Sequence, residues 1–287
     1  MSATALAIRG VTKGFAGAGG AVAALAGIEL VAEPGEFVTL IGPSGCGKST
    51  LFNLIAGLDE PDSGTIALDG QATGRRLGRV AYMPQRDLLL PWRTILDNAI
   101  LPLELRGVPR AAARQRALAL LPQFGLNGFE RAYPHTLSGG MRARAAFLRT
   151  VLADGALLLL DEPFGALDAL TRGQMQEWLL DVWARERRTT LFITHDVDEA
   201  IFLADRVYVM TPRPGRIAFT TSVPLPRPRT PEMLVAPAFI ALKAALLATL
   251  RAGGALQSAP AAVAEPGADV RATATAGHGR IAGEVPR

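Results

Sequence analysis

Phe37-Val38-Thr39-Leu40-Ile41-Gly42-Pro43-Ser44-Gly45-Cys46-Gly47-Lys48-Ser49-Thr50 is the stretch on which the reading of this chain turns. Its first five residues are apolar nearly throughout, the pattern of a strand covered on both faces of a parallel sheet. The next eight fit G-x-x-x-x-G-K-[ST], and a helical pattern runs over residues 48–58. Glycine permits φ > 0 and lets the backbone close around an anion. N–H groups of such a loop converge on phosphate at a helix start, where the helix dipole favours negative charge. Lys48 is placed to reach the β- and γ-phosphates and Ser49 to offer a hydroxyl to Mg2+. Residues Gly42, Pro43, Ser44, Gly45, Cys46, Gly47, Lys48, Ser49 and Thr50 are therefore the expected nucleotide-phosphate contacts. Cys46 serves there through its backbone, and a single cysteine excludes an internal disulfide framework.

A second signal lies further along. Leu157-Leu158-Leu159-Leu160-Asp161-Glu162-Pro163 is an apolar strand ending in two carboxylates. In an open α/β sheet ligands gather at the carboxyl ends of strands. Asp161 is then expected to hold Mg2+ through water, and Glu162 to act as general base on an attacking water.

Outward from these two motifs the chain alternates strand and helix patterns, which argues for an α/β fold. Strands are expected at residues 5–8, 21–30, 156–160, 189–194 and 207–210. Helices are expected at 111–124, 142–152, 169–187 and 197–204, and residues 87–152 read as a helical insert. The main domain is taken as 1–225. A C-terminal extension, 226–252, holds an apolar helix over 232–251 interrupted by Pro237. The Ala/Gly/Pro/Thr-rich remainder, 253–287, is expected to be an unstructured tail. No run of about 18 apolar residues is free of charge, so no membrane span is expected, and the first residues do not read as a secretory signal. The net charge is +4, with Arg far outnumbering Lys. That excess is either compositional or an attraction to anionic partners. No basic cluster is interleaved with aromatics, so a nucleic-acid partner is not indicated.

Leu137-Ser138-Gly139-Gly140-Met141 lies between the two motifs and resembles the LSGGQ signature of the ABC ATPases. The rest of that family's motifs follow in order over about residues 5–220. Gln85 resembles the Q-loop glutamine, Ala166-Leu167-Asp168 the D-loop, His195 the switch histidine and Phe15 the aromatic that stacks on adenine. Met141 and Phe15 depart from the usual Gln and Tyr. The Ser138 hydroxyl and the glycine N–H groups are what a γ-phosphate meets, and a phenyl face still stacks, so neither change is expected to matter.

The resemblance implies a P-loop NTPase (RecA-like) core with an antiparallel β subdomain and a helical subdomain insert. It implies ATP and Mg2+ as cofactors, with Ser49, Gln85 and Asp161 at the metal. Lys48, Gln85, Glu162 and His195 are implied in catalysis, and Phe15, Ser138, Gly139, Gly140 and Asp168 in nucleotide contact. It also implies a homodimer paired head to tail. Residues 89–98, 163–172 and 213–217 resemble the nitrate/sulfonate/taurine-type importer ATPases of bacteria. That branch implies integral-membrane permease subunits, an external solute-binding protein and a peripheral place on the cytoplasmic face of the membrane. Trp92 reads either as core or as part of a socket for a permease helix. An exporter or lipid-trafficking ATPase is the alternative within the family. A soluble ABC ATPase acting on DNA or ribosomes lacks support, since there is one cassette and no sustained heptad. A P-loop kinase or GTPase lacks the guanine-reading N-K-x-D and leaves the signature unexplained.

Overall fold

Two long strands open the chain, β1 (Leu6–Gly17) and β2 (Gly20–Ala32), paired antiparallel. Then come β3 (Phe37–Ile41), all of it buried, and helix α1 (Lys48–Ala56), closed by Gly57 in the left-handed conformation (φ 74). Strands β4 (Ser63–Leu68), β5 (Gln71–Ala72) and β6 (Val80–Met83) follow. The molecule is described by a computed structural model covering residues 4–17, 20–72, 76–165 and 167–258, with side chains to 252.

Four helices separate β6 from the next strand: α2 (Ile95–Ala99), α3 (Leu101–Leu105), α4 (Arg110–Leu120) and α5 (Gly139–Leu152). The chain then alternates through β7 (Leu157–Asp161), α6 (Ala169–Glu186), β8 (Thr189–Ile193), α7 (Val197–Leu203), β9 (Arg206–Met210) and β10 (Ile217–Ser222). Helix α8 (Pro237–Ser258) ends the described chain.

Two sheets result. One is antiparallel, in the order β2-β1-β4-β5; the other has six strands in the order β10-β9-β3-β8-β7-β6, parallel except for β10. The strands of the parallel sheet are apolar on both faces because both faces are covered. Along β7, Leu158 and Leu160 enter one core, with Phe37, Trp183 and Phe192, while Leu157 and Leu159 enter the other, with Phe52, Ile8 and Leu30. The first core lies toward the helical insert, α6, α7 and α8; the second lies between the parallel sheet, α1 and the antiparallel sheet. This is the expected P-loop core with an antiparallel β subdomain and inserted helices.

Some expectations change in detail. Strands β4, β5 and β10 carry no clean apolar run, and β4 buries only Ile66 and Leu68; β6 is apolar but only four residues long. Pro237 does not interrupt the last helix but begins it. Its ring fixes φ near the helical value, and a first-turn N–H has no intrahelical partner to lose. That helix runs past residue 253 to Ser258, so the first residues assigned to an unstructured tail are helical. The rest of that assignment, 259–287, lies outside the described residues. Phe239 and Leu246 of α8 are fully buried in the first core.

In the helical insert one buried polar group organises the backbone before α2. The amide of Asn98 donates to the carbonyls of Leu90 (3.1 Å), Arg93 (3.1 Å) and Thr94 (3.0 Å), and its oxygen accepts from Leu90 N–H at 2.7 Å. Asn98 is fully buried, so its truncation removes all four bonds at once and leaves a gap beneath this segment. Asn98→Ala is therefore expected to destabilise the protein by about 2–4 kcal/mol. Urea unfolding, with hydrogen exchange over residues 88–98, measures this; an unchanged midpoint and unchanged exchange contradict it.

Candidate functional site

The phosphate loop joins β3 to α1, and nothing caps α1 from a side chain. Its N-cap is Gly47, at φ 108, with no side-chain hydrogen bond. The first N–H groups of the helix are thus left to an external acceptor. Only glycine fits at 47: a Cβ there would lie 2.7 Å from Leu25 Cδ2 and 3.0 Å from the Ala24 carbonyl oxygen. Lys48 is buried, and its Nζ donates to the carbonyls of Gly42 (2.8 Å) and Pro43 (3.1 Å), which holds the ammonium under the loop. Cys46 is buried, and burial pushes its thiol pKa up, so its Sγ is no reactive thiolate.

The acidic pair stands across from this loop. Asp161 ends β7 and is almost wholly buried; burial raises its carboxyl pKa, although a hydrogen bond with Ser49 opposes the shift. Glu162 follows with φ 45, a left-handed conformation that few side chains adopt without a tertiary constraint. The constraint is visible: Glu162 N–H donates to Ile193 O at 3.0 Å. One carboxylate oxygen of Glu162, Oε2, accepts from Gln85 Nε2 at 3.0 Å and lies 3.4 Å from His195 Nδ1. Ser44, Gly45, Gly47, Lys48, Ser49, Thr50, Gln85, Glu162 and Arg213 line a cavity of about 280 Å3.

The sequence candidates do not all meet there. Phe15 lies on β1 beside Val22, about half exposed, with Lys13 Nζ 5.4 Å from its ring centroid, and it does not line this cavity. Ser138 is the N-cap of α5, its hydroxyl accepting from Met141 N–H at 3.3 Å. It lines a different cavity, of about 290 Å3, with Gly140, Arg144, Thr171, Gln174, Met175 and Trp178. Gly139 lines a third, beside Gln85 and Arg142. Asp168 is the N-cap of α6, accepting from Thr171 N–H at 3.0 Å; Ala166, before it, lies outside the described residues.

Two groups were not legible in the sequence. Arg213 reaches the phosphate loop from the β9–β10 connection, and Glu199 lies on α7 in a recess with Glu162, Thr194 and His195. Both are brought in by tertiary packing; residues 213–217 were singled out only for their resemblance to the importer branch, and nothing local placed Arg213 at the phosphate loop.

The donors available to a metal fit a small hard cation. The Ser49 hydroxyl, the Asp161 carboxylate and the Gln85 amide are oxygen donors, and Asp161 is a buried carboxylate whose raised pKa marks an undercompensated charge. Among the described residues no group of three or more His, Cys, Asp or Glu side chains could form a protein cage. Sparse oxygen donors suit Mg2+, which keeps waters and shares phosphate oxygens.

The chain is similar to proteins of one family. The family model described as ABC transporter matches residues 25–165. The aliphatic sulfonates import ATP-binding protein of Bacillus cereus (strain ATCC 10987 / NRS 248) is 39% identical over 255 residues, covering 88% of this chain and 98% of that protein. The chain belongs to the ABC transporter family. It is an ABC ATPase, an ATP hydrolase coupled to transport. An uncharacterised ABC transporter ATP-binding protein of Methanocaldococcus jannaschii is 46% identical over 224 residues, 78% of this chain and 84% of that one. The formylaminopyrimidine import ATP-binding protein of Halalkalibacterium halodurans is 51% identical over 179 residues, 62% of this chain and 70% of that one. Among solved structures, the dimeric structure of a bacterial ABC transporter cassette superposes with TM-score 0.68 at 29% identity, covering 76% of this chain and 98% of that one. A post-hydrolysis state of the same cassette, bound to ADP and Pi, gives TM-score 0.67 at 29% identity with the same coverage.

Glu199 gives this ABC ATPase a testable pH dependence. Its carboxyl is buried, accepts from Gln176 Nε2 at 3.0 Å, and has its pKa raised, chiefly by burial. A carboxyl whose folded pKa exceeds its unfolded one binds its proton more tightly in the folded state, so stability is lost as pH rises through the folded value. Glu199→Gln is expected to raise the melting temperature at neutral pH by a few degrees, the gain shrinking on acidification. Differential scanning fluorimetry across pH checks this, and a gain that does not vary with pH refutes it.

Proposed function

We propose that this ABC ATPase energises the import of a small solute of the nitrate, sulfonate or taurine kind. It would act from the cytoplasmic face of a membrane, in complex with two permease subunits fed by a solute-binding protein. The importer-type relatives support this reading. No helix of the described residues is long and apolar enough to cross a membrane, so the translocation path is assigned to the partner.

One observation carries the mechanism. The phosphate loop and the start of α5 line separate cavities, the first with Lys48 and Glu162, the second with Ser138 and Gly140. A triphosphate held by the first therefore needs a second copy of the chain to present Ser138, Gly139 and Gly140, and a head-to-tail pair closes both sites. The α5 start suits that role. The Ser138 hydroxyl accepts from the helix and keeps its own hydrogen to donate, and the N–H groups of a helix start favour an anion.

In each site the N–H groups of residues 44–50 and the ammonium of Lys48 grip the phosphates, and Phe15 offers its ring face to adenine. Asp168, at the start of α6, belongs to the surface facing the second copy. Ser49, Gln85 and Asp161 would hold Mg2+, which when bound neutralises phosphate charge and polarises the γ-phosphoryl group. Glu162 accepts the proton of the attacking water as its oxygen bonds to the γ-phosphorus. The bond to the β–γ bridging oxygen breaks, and ADP and phosphate result. Gln85 and His195, both beside Glu162 Oε2, orient that carboxylate, and His195 contacts the γ-phosphate. Loss of the shared γ-phosphate lets the pair relax, and residues 87–152 carry the motion to the permease. There Trp92 is 72% exposed and Leu88 is 52% exposed, and Arg149 Nη1 donates to the Leu88 carbonyl at 2.7 Å.

Glu162→Gln is expected to lower phosphate release by about 10²- to 10⁴-fold and to trap an ATP-bound dimer in size-exclusion chromatography with light scattering. Near-normal turnover would overturn the role of Glu162. Trp92→Ala is expected to leave the ATPase rate of the isolated subunit within about twofold while weakening co-purification with the permease roughly tenfold or more, the range of a buried aromatic anchor. Undiminished co-purification would remove Trp92 from that interface.

A further inference from the structure

One face of α6 and residues 227–231, which follow β10, flank a cavity of about 340 Å3. Glu177, Leu180, Asp181 and Ala184 line it at helical spacing, and Arg187, just past the end of α6, completes that side. It shares no lining residue with the phosphate cavity or with the cavity at Ser138. Charge is sorted along it. Glu177 and Asp181 come first on the helix and Arg187 last, and a rise of 1.5 Å per residue sets Asp181 and Arg187 about 9 Å apart along the axis. Arg187 and Arg227 both stack on Trp183, their guanidinium carbons 5.2 and 4.3 Å from its ring centroid, so two cations gather at one end. A third, Arg229, is buried beside them; burial, with the charge of Arg227 adding to it, pushes its pKa down to about 10. The basic wall is fixed in place. Arg227 donates from Nε to Asp205 (2.8 Å) and from Nη2 to Leu203 O (2.7 Å), and Arg229 donates to the carbonyls of Ile201 (3.0 Å) and Ala204 (2.9 Å). These groups close the carboxyl end of α7, where cations are favoured.

We propose that this cavity binds a small zwitterion, its acidic group (carboxylate or sulfonate) at Arg187 and Arg227 and its amine at Glu177 and Asp181. The two sets of charges line one space without satisfying each other. Among the described residues Glu177 and Asp181 form no ion pair, and the exposed side chain of Arg187 touches only the Trp183 ring. Arg229 Nε is buried with no hydrogen-bond partner, a further sign of positive charge in excess at that end. A plain anion would meet the two carboxylates, and a plain cation would meet the arginines. A molecule with both charges, set apart by a short apolar spacer, complements both ends. The planar fork of Arg187 suits a carboxylate or sulfonate, and Leu180, Ala184, Pro228 and Pro231 offer apolar surface to the spacer. Nor does the backbone call for arginine at 187. Its φ of 48 is the left-handed position past a helix end that glycine ordinarily fills.

The test is calorimetry on the full chain with γ-aminobutyrate, ε-aminocaproate and glycylglycine as probes, and with caproate and hexylamine as analogues carrying one charge. At least one zwitterion is expected to bind with a Kd of about 1 mM or tighter, and caproate and hexylamine at least about tenfold more weakly than ε-aminocaproate. Saturating ATP should not displace the probe. Arg187→Gly keeps the backbone conformation and removes only the side chain; it should weaken every zwitterion about tenfold. Glu177→Gln combined with Asp181→Asn should weaken the zwitterions to a similar degree while caproate holds its affinity or gains. No zwitterion binding tighter than about 10 mM overturns the proposal. So does caproate or hexylamine binding as tightly as ε-aminocaproate, displacement by ATP, or unchanged affinity in either variant. Equal weakening of caproate and ε-aminocaproate by the acidic double variant marks a loosened fold in place of a lost amine contact, and overturns it as well.

Discussion

The registers of three parallel strands govern everything at the site. Leu40 pairs with Ile193, and Ile193 pairs with Asp161, so the carboxyl ends of β3, β8 and β7 stop at one level. The ladder continues one step further, with Thr194 N–H bonded to Leu40 O at 3.3 Å and Glu162 N–H to Ile193 O at 3.0 Å. Gly42, His195 and Glu162 are the residues that come next on each strand or just beyond. Their meeting follows from burying both faces of the sheet. A slip of one residue would exchange Leu158 and Leu160 with Leu157 and Leu159 between the two cores, and side-chain direction alternates with every step.

This explains what could be seen in advance. Strands β3, β7, β8 and β9 are apolar nearly throughout because helices or the second sheet cover both faces, and such runs stand out in a sequence. The edge strand β10 and the outlying β4 and β5 bury few side chains, so their sequences look like loop. The Lys48, Asp161 and Glu162 motifs announced themselves by local spacing because a turn of helix and a strand end place them. Arg213 and Glu199 did not, because their positions depend on contacts between segments distant in the chain. Phe15 shows the limit from the other side. Its place in the motif order is plain, yet it stands on β1 away from the phosphate cavity, and only an adenine spanning from cradle to ring would join the two.

Two motif residues, and the neighbour of a third, His195, also serve as helix caps. Ser138, Asp168 and Asp196 each accept backbone N–H bonds at the start of α5, α6 and α7. Replacing any of them removes about 0.5–2 kcal/mol of helix stability regardless of its chemistry. Lost activity at these positions therefore has two sources, and a chemical role is separable only with a replacement that still caps, such as Ser138→Thr or Asp168→Asn.

Helix α8 delivers Phe239 and Leu246 to the same interior as Phe37 and Trp183, although nearly two hundred residues separate them from β3 in the chain. During synthesis the sheet is complete as soon as β10 emerges, but its outer layer is still inside the ribosome. An apolar trench stays open to chaperones until the last helix clears the exit tunnel. A message truncated shortly after Leu225 would yield a polypeptide with every nucleotide motif intact and a persistent tendency to aggregate.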